Sequence, residues 1–551
     1  MTTASATETS AGVRAGRRLP AWPLTALGAV AWLLAAPPTP DLAAHEYRAA
    51  VVRRAGLGIW EQGWFGGHHL PGYSVLLPPL AAILSPQLVA AIAVVVASWC
   101  FERLARAHWA PTAARAAAVW FALGVLSALL GGQLAFAAAL APALGALLAG
   151  GRGRTGVAAA VGPATTLTSP VTAAFLVLAC AAWWLAARSR PPLWVATGTI
   201  VPGLTLALAF PEGGTMPFSF TSFAWAFGVA VTLAVVLPRE ERVLRTGAAL
   251  YAAALLAGVL IDTPLGGNLV RLAAVFAGPV AAGALWDRRR AVLYVLALPL
   301  LWWQWVAPVR SVERVAGDPS TEAAYHAPLI AELDRRAAAG GPVRVEIPPT
   351  PGHWEARYVP PEHPLARGWQ RQLDVARGGI FYGDAPLTAA SYRRWLDDAG
   401  VTYVALAGAP LDDAGAAEAR LVASGRVPGL RPVWRSRDWR LYRLDGAAGL
   451  ASPPARVTAI GLDTVDLTTP RPATTVVRVR FTPYWALTRG RGCVSPAAGG
   501  WTRVRLEAAG PARLAIRFAP GRVRATSARC TGCPLSVEHR GTAAARAVKI
   551  P

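Results

Sequence analysis

The chain has 551 residues, 54% of them hydrophobic and only 15% charged. Ordinary soluble domains carry roughly 25% charged residues, so a plain soluble enzyme is excluded, and the apolar surplus excludes a disordered chain. The formal charge is +23, from 54 basic and 31 acidic residues, and Lys549 is the only lysine. In an Ala-, Gly- and Pro-rich chain, arginine abundance also follows from base composition, so the placement of the arginines carries the information rather than their number.

Apolar stretches near 20–36, 71–101, 113–130, 133–150, 155–169, 170–187, 193–209, 222–238, 247–262, 268–286 and 291–306 approach the length that spans a bilayer as a helix. The first follows Arg14, Arg17 and Arg18 but has no small-x-small cleavage site before Pro37-Pro38, so it reads as a retained span. The region 71–101 is interrupted by Pro78, Pro79 and Pro86 and reads as one crossing with a kinked or re-entrant shoulder. The stretch 155–169, short and containing Pro163, has the weakest pattern.

The arginine clusters test this count. They are Arg14/Arg17/Arg18, Arg103/Arg106/Arg115, Arg152/Arg154, Arg188/Arg190, Arg239/Arg242/Arg245 and Arg288/Arg289/Arg290. If 71–101 crosses once, every cluster falls on one side, which the positive-inside rule makes cytoplasmic. The expected fold is therefore an α-helical polytopic membrane protein of about 11 transmembrane helices with a C-terminal extracytoplasmic α/β plus all-β domain. Its organisation reads as a cytoplasmic N-terminus (1–19), a transmembrane domain (20–308) with outer loop 37–70, an α/β part (309–452) and a β-sandwich-like part (453–551). The N-terminus is expected inside and the C-terminal domain outside a bacterial plasma membrane.

In the outer part, Val343–Ile347 alternates as a strand, 388–399 and 412–424 have helical spacing, and Val401–Leu406 is apolar as a buried strand. Trp434–Arg443 reads as a hairpin about Arg437-Asp438, and Val476–Phe481, Arg503–Leu506 and Arg513–Phe518 read as sandwich strands. Cys493, Cys530 and Cys533 lie here, and an oxidising compartment favours a disulfide from Cys493 to Cys530 or Cys533. Cys530-Thr-Gly-Cys533 has zinc-knuckle spacing, without a second pair to complete four ligands. Cys100 and Cys180 read as packing residues within spans.

Polar chemistry gathers on the outer side, first in Asp41-Leu-Ala-Ala-His45-Glu46-Tyr-Arg48 and Gly66-Gly67-His68-His69-Leu-Pro-Gly-Tyr73. The pattern over 42–60 predicts an amphipathic helix on the outer surface, with Trp60, Trp64 and Phe65 at headgroup depth. Asp41 and His45, four apart, share a face. A carboxylate there deprotonates a hydroxyl, while histidines and Arg48, Arg53 and Arg54 neutralise a phosphate leaving group; the plain alternative is a helix cap at Asp41. Asp41 with His45 is also half of a metal site.

Arg271 stands near the start of the span opening at Asn268, where an ionisable residue needs a partner. That partner is a lipid phosphate or Asp262. Glu61 and Glu212 are the other outer-side carboxylates. In the C-terminal part, His353-Trp354-Glu355 and Leu365-Ala-Arg367-Gly-Trp369-Gln370-Arg371-Gln372-Leu-Asp374 combine aromatic faces with Arg, Gln and Asp, which suits sugar binding and equally suits a domain interface. No zinc-protease or P-loop motif occurs.

A first span, an outer loop opening on an acid, an interfacial helix, many further spans and an outer C-terminal domain together resemble the GT-C superfamily of polytopic glycosyltransferases that use polyprenyl-phosphate sugars. Asp41…His45-Glu46…Trp60…Trp64…Gly66-Gly67-His68…Gly72-Tyr73…Pro78-Pro79, with Thr168-Ser169-Pro170 and Asn268…Arg271, carries the likeness to an uncharacterised bacterial branch. The resemblance implies an inverting transfer of sugar from a polyprenyl-phosphate donor to a cell-envelope glycan or lipid acceptor. Asp41 would be the base with Glu46 in reserve, and His68, His69, Arg271 and Arg53 would hold the donor phosphate. Trp354, Arg367 and Trp369 would bind acceptor, with either no cofactor or a divalent metal at Asp41 and His45. The sequence departs from the family in having His45-Glu46 where an adjacent acidic pair is usual. The partners are then the bilayer, the lipid-linked sugar and the glycan, with no nucleic acid. A transporter or flippase of envelope precursors and a non-catalytic envelope scaffold are the rival readings.

Overall fold

The computed structural model describes residues 19–383 and 385–531, so Arg14, Arg17, Arg18 and Cys533 lie outside the described residues. Helices α1 (Trp22–Ala35), α2 (Pro40–Ala55) and α3 (Leu77–Leu84) precede α4 (Pro86–His108), and α5 (Pro111–Gly124) runs on into α6 (Leu126–Leu130). Then follow α7 (Leu134–Gly151), α8 (Thr155–Thr168), α9 (Pro170–Ala187), α10 (Pro191–Ala209), α11 (Phe220–Val236), α12 (Arg242–Leu260), α13 (Val270–Leu285) and α14 (Arg290–Val315). Several of these starts are written in the sequence. Proline at the first helical position costs no hydrogen bond, and the Ser85 and Ser169 hydroxyls accept from the Leu88 and Thr172 amides ahead of Pro86 and Pro170.

Among the described residues, eight helical stretches are long and apolar enough to cross a membrane, and α1 and α11 are shorter apolar helices. The expected 155–169 span is a 14-residue helix with Pro163 inside it, about 21 Å long against a hydrocarbon core of about 30 Å. The figure of about eleven crossings thus depends on counting these shorter helices with the eight. Region 71–101 forms the short α3 and the long α4, broken at Ser85 with φ 82. The residue before a proline avoids the helical region, which accounts for the break.

The arginine-rich turns share one side of the bundle. His108 Nε2 and Trp109 Nε1 meet Glu241 at 2.7 and 2.9 Å, Arg288 reaches Glu240 at 2.6 Å, and Thr112 bonds Asp287. On this side the Glu102 carboxylate accepts from the Ala21 and Trp22 amides at 2.9 and 3.3 Å and pairs with Arg106. It sits at the positive end of α1, where a negative charge is stabilised. The outward faces are apolar: on α14, Tyr294, Val295 and Leu298 are all exposed, as lipid contact requires.

The opposite side carries the loops and the C-terminal domain. There β1 (Trp60–Glu61) and β2 (His68–His69) form a small antiparallel hairpin. After α15 (Ala323–Gly340), strands β3 (Val345–Glu346), β4 (Tyr403–Ala407), β5 (Leu430–Arg435) and β6 (Trp439–Leu444) build a sheet of order β3-β4-β6-β5, with β3 and β4 parallel. Helices α16 (Glu355–Tyr358), α17 (Arg371–Arg377), α18 (Ala389–Asp398) and α19 (Asp413–Ala423) complete this part. The sandwich comprises β7 (Arg456–Ile460), β8 (Thr464–Thr469), β9 (Ala473–Arg480), β10 (Trp485–Arg489), β11 (Gly492–Pro496), β12 (Trp501–Leu506), β13 (Gly510–Ile516) and β14 (Arg529–Thr531). Its sheets have the orders β10-β13-β8-β7 and β14-β11-β12-β9.

One expectation is corrected. Trp60, Trp64 and Phe65 do not lie at the lipid headgroups; each is at most 3% exposed, inside protein cores. Trp64 and Phe65 pack with Leu329, Val345 and Trp439 of the α/β part, and Trp60 packs with Val477 and Trp485 of the sandwich. The α2 helix is likewise buried over most of its length, with Leu42–His45, Tyr47–Ala49 and Val51 enclosed rather than half-exposed at a membrane surface. Aromatic residues in an outer loop satisfy either environment; the presence of two soluble cores above the bundle decides for burial. Substitution Trp64→Ala is expected to cost about 3–5 kcal/mol, read as a fall in the melting temperature of the outer part.

Cys493 and Cys530 are joined by a disulfide that pairs neighbouring residues of β11 and β14. It closes a loop of 37 residues, so Cys493→Ala is expected to destabilise the sandwich by about 4 kcal/mol on loop entropy. Thermal unfolding with and without reductant, on wild type and variant, checks this: reductant should change only the wild type.

Candidate functional site

Asp41 stands in the first turn of α2, a helix that lies outside the membrane-spanning set. Asp41, His45 and Arg48 follow one another at i, i+4 and i+7 and so share one face. The turn at Gly131-Gly132 packs against that face. Gly132 has φ 71, and a Cβ there would meet Thr39 Oγ1 at 2.4 Å and Asp41 Cβ at 3.4 Å. Glycine is required both for the left-handed backbone and for the close approach.

Two further elements close the site. From the bundle, Arg271 in the first turn of α13 lies 5.9 Å from the Phe136 ring centroid, and Tyr73 lies 3.9 Å under the Arg48 guanidinium. From the outer part, His353 stacks on Trp369 at 3.5 Å, with Asp412 at 3.4 Å and Glu355 at 3.6 Å, and Arg371 lies over the same Trp369 at 5.0 Å. Arg48 Nη2 donates to Gln370 at 3.0 Å, tying α2 to the loop that carries Trp369 and Arg371.

The electrostatics follow from this geometry. Burial pushes the Asp41 carboxyl above the usual carboxylate range, against the pull of Arg271, then His353, Arg48 and Arg371. Among the described residues Asp41 and Arg271 form no side-chain hydrogen bond and no ion pair within 4 Å, so both side chains stay available to a ligand. Burial, then repulsion from Arg48 and Arg271, holds the His45 imidazole down at about 3, so it is neutral at pH 7. Burial opposes the charge on His353, but Asp412 and Glu355 outweigh it and raise its pKa. The result is one half-buried carboxylate ringed by arginines and a histidine favoured as a cation, a setting for an anionic ligand beside a proton acceptor.

A cavity of about 480 Å³ runs between the helices below this ring. Its lining extends along α7 from Leu140 to Gly151, about 16 Å, and is almost wholly apolar. Its outer end, at Leu140, Thr172, Phe175 and Leu272, adjoins Phe136: Thr172 bonds the Phe136 carbonyl at 3.3 Å and the Phe175 ring lies 6.2 Å from the Phe136 ring. Arg271 stands over the same ring.

The remaining residues singled out from sequence are placed elsewhere or are already engaged. His68 Nδ1 lies 2.8 Å from Glu61, and His69 lies 2.9 Å from Glu212 and 3.0 Å from Thr482. Both imidazoles are buried in the hairpin between the outer parts, not in the ring around Asp41. Glu46 accepts from Gln87 at 3.2 Å. Arg53 is exposed in the last turn of α2, about 18 Å along the helix from Asp41. Arg367 is buried between Asp374 at 2.7 Å and Glu418 at 3.1 Å, which makes it an internal tie. Trp354 packs in the bundle core, while Trp369 belongs to the ring. Asp262 is exposed and forms no ion pair with Arg271. Arg371, part of the aromatic and polar segment that suits sugar binding, borders the ring, as does Tyr73; the i+7 spacing of Arg48 was the legible signal for its place.

A divalent cation is a poor fit. Asp41 and His45 are two donors, no group of three or more His, Cys, Asp or Glu side chains placed to hold a metal occurs among the described residues, and Arg48 and Arg271 add positive charge. Removing the strongest cationic influence should move Asp41 further from its usual range: Arg271→Met is expected to raise the Asp41 titration midpoint. Infrared carboxyl titration, with Asp41→Asn to assign the band, measures this; an unchanged midpoint would separate the two residues.

No protein-family model matches the chain, and no curated protein does. Among solved structures, the chain is similar to arabinofuranosyltransferase AftD from Mycobacteria, at 17% identity and TM-score 0.42, over 85% of this chain and 42% of that one. A mutant of the same enzyme matches at 17% identity and TM-score 0.41, over 76% and 41%. The chain is also similar to the archaeal oligosaccharyltransferase AglB from Archaeoglobus fulgidus, at 10% identity and TM-score 0.43, over 70% and 69%. It therefore spans about two fifths of the length of the AftD chains it matches.

Proposed function

We propose that the protein is a membrane glycosyltransferase that moves a sugar from a polyprenyl-phosphate donor to a cell-envelope glycan or lipid acceptor, on the side of the bilayer opposite the arginine-rich turns. The positive-inside rule makes that the outer face. The observation that carries this reading is the unpaired Asp41–Arg271 couple beside the outer end of an apolar cavity. An apolar slot ending at cationic groups has the polarity of a lipid phosphate: tail in the slot, phosphate at Arg271 and Arg48. A soluble nucleotide-sugar has no use for such a slot.

The chemistry is a single displacement with inversion. Asp41 takes the proton of the acceptor hydroxyl as its oxygen bonds to the anomeric carbon. The bond from that carbon to the phosphate oxygen breaks, and the lipid phosphate leaves with its added negative charge held by Arg271 and Arg48. Those guanidiniums act where charge develops, so they stabilise the transition state more than the bound donor. His353, Trp369 and Arg371 close the site from the acceptor side. Glu46, His68, His69 and Arg53 are not drawn into this scheme, because their contacts lie outside the ring.

Two outcomes test it. In vesicles supplied with a polyprenyl-phosphate sugar, Asp41→Asn is expected to lower transfer at least on the order of 100-fold; unimpaired transfer by a folded variant removes Asp41 as the base. A base acts when ionised, so the wild-type rate should climb as pH rises through the Asp41 pKa. Because that pKa is raised, the acid limb should lie above the ordinary carboxylate range, and it should vanish in any residual Asp41→Asn activity.

A further inference from the structure

A second cluster of charge, separate from the Asp41 ring, lies where the first outer loop meets both outer parts. Arg344 follows Val343 at the start of the α/β sheet and is fully buried, yet only its Nη1 is bonded, to the Ala399 carbonyl at 2.6 Å. Its Nε and Nη2 have no partner among the described residues. Arg480 lies 3.8 Å over the Trp501 ring and donates to the Phe65 carbonyl at 3.2 Å, and Arg478 bonds only the carbonyls of residues 448 and 449. None of these three has a carboxylate within 4 Å among the described residues. Arg377 is nearby and is matched by Glu212 at 3.2 Å.

Such an arrangement is unfavourable by itself. Burial, then repulsion from Arg480 and Arg478, lowers the Arg344 pKa to about 9, still well above neutrality, so the charge persists. Carbonyls and water satisfy hydrogen bonds but do not cancel a buried net charge. Between these residues is a cavity of about 20 Å³, lined by Phe65, Arg344, Arg377, Arg480 and Trp501 among others; its two carboxylates are already engaged, Asp374 by Arg367 at 2.7 Å and Asp398 by Trp501 Nε1 at 3.1 Å. That volume is room for roughly one water-sized particle. The first loop is held close here as well: Gly66 has φ 75, and a Cβ on it would meet Trp501 at 2.8 Å and Arg344 Nη2 at 3.4 Å. Its carbonyl accepts from the Arg480 amide at 2.7 Å.

We infer that this junction binds a small monovalent anion of halide size, held by the free guanidinium nitrogens of Arg344 with Arg480 above it, and that the anion locks the first outer loop to both outer parts. The size of the space selects the ligand class. A halide supplies the missing negative charge in a single atom and so suits a small space better than sulfate or phosphate, which bring four oxygens around a centre. The site is independent of the glycosyltransferase reading, since none of its residues belongs to the Asp41 ring.

The test is thermal unfolding of the purified full chain in detergent at constant ionic strength, replacing sodium gluconate by sodium chloride, bromide or sulfate. Chloride and bromide should raise the melting temperature along a saturable curve, and sulfate should not. Arg344→Met should abolish the halide increment. If that variant does not fold, Arg480→Met decides, with at least a tenfold higher halide concentration expected at half-saturation. Anomalous diffraction from a bromide-grown crystal should place bromide beside Arg344. Equal melting in chloride and gluconate, an equal rise in sulfate, or a full halide response in Arg480→Met would overturn the proposal.

Discussion

The rest of the molecule depends on how the first outer loop is buried. Between α1 and α4 the chain leaves the membrane, forms α2 and the β1–β2 hairpin, and gives up its large aromatic residues to two separate cores. Trp64 and Phe65 fill the α/β core and Trp60 fills the sandwich core. Backbone bonds reinforce this: Leu365 donates to the Gly63 carbonyl at 2.8 Å, and Trp64 Nε1 donates to Ala356 at 2.9 Å. An outer domain joined to a bundle only through its chain connection would be free to swing. One whose cores contain loop residues from the bundle is not, because separation would expose three large aromatic side chains to water.

That burial has an electrostatic consequence. Once α2 is trapped between bundle and outer domain, Asp41, His45 and Arg48 lose solvent while facing Arg271, His353 and Arg371 from elsewhere. Desolvation and Coulomb attraction then act oppositely on Asp41, and the net upward shift reflects how dry the site is. The same burial makes the polarity of the interior uneven. Carboxylates of the first loop and its neighbours are matched with histidines, as in His68–Glu61 and His69–Glu212, and Arg367 is matched with Asp374 and Glu418. Arg344, Arg478 and Arg480 are left unmatched. Pairing is the rule inside this protein, which makes the unpaired groups its informative ones.

Much of the fold was legible because its signals are local. Arginine clusters at alternate turns, prolines at helix starts, the alternation in β9, β12 and β13, and the hairpin about Arg437-Asp438 each depend on neighbours in sequence. Length is less forgiving, and α8 shows why the number of crossings is harder to read than their existence. Within the candidate site, Arg271 stood out from sequence through the cost of a charge near the start of a span, and Asp41 as the carboxylate that opens the first loop on a face shared with His45; both border the same ring. Residues chosen by type alone fared differently. His68 and His69 look suited to phosphate, but their imidazoles face Glu61 and Glu212; Arg367 looks free for a sugar, but Asp374 and Glu418 hold it.

By itself the sequence determined the membrane class, the grouping of arginines at alternate turns and the succession of α/β and all-β segments after the last apolar helix. These follow from hydropathy, charge and periodicity, which act over a few residues at a time. Only the tertiary structure decided that Trp60, Trp64 and Phe65 serve protein cores, and that Cys493 pairs with Cys530. It likewise brought His353, Trp369 and Arg371 to face Asp41 across more than 300 positions of chain. Those outcomes depend on which distant surfaces meet, and local pattern carries no record of a partner hundreds of residues away.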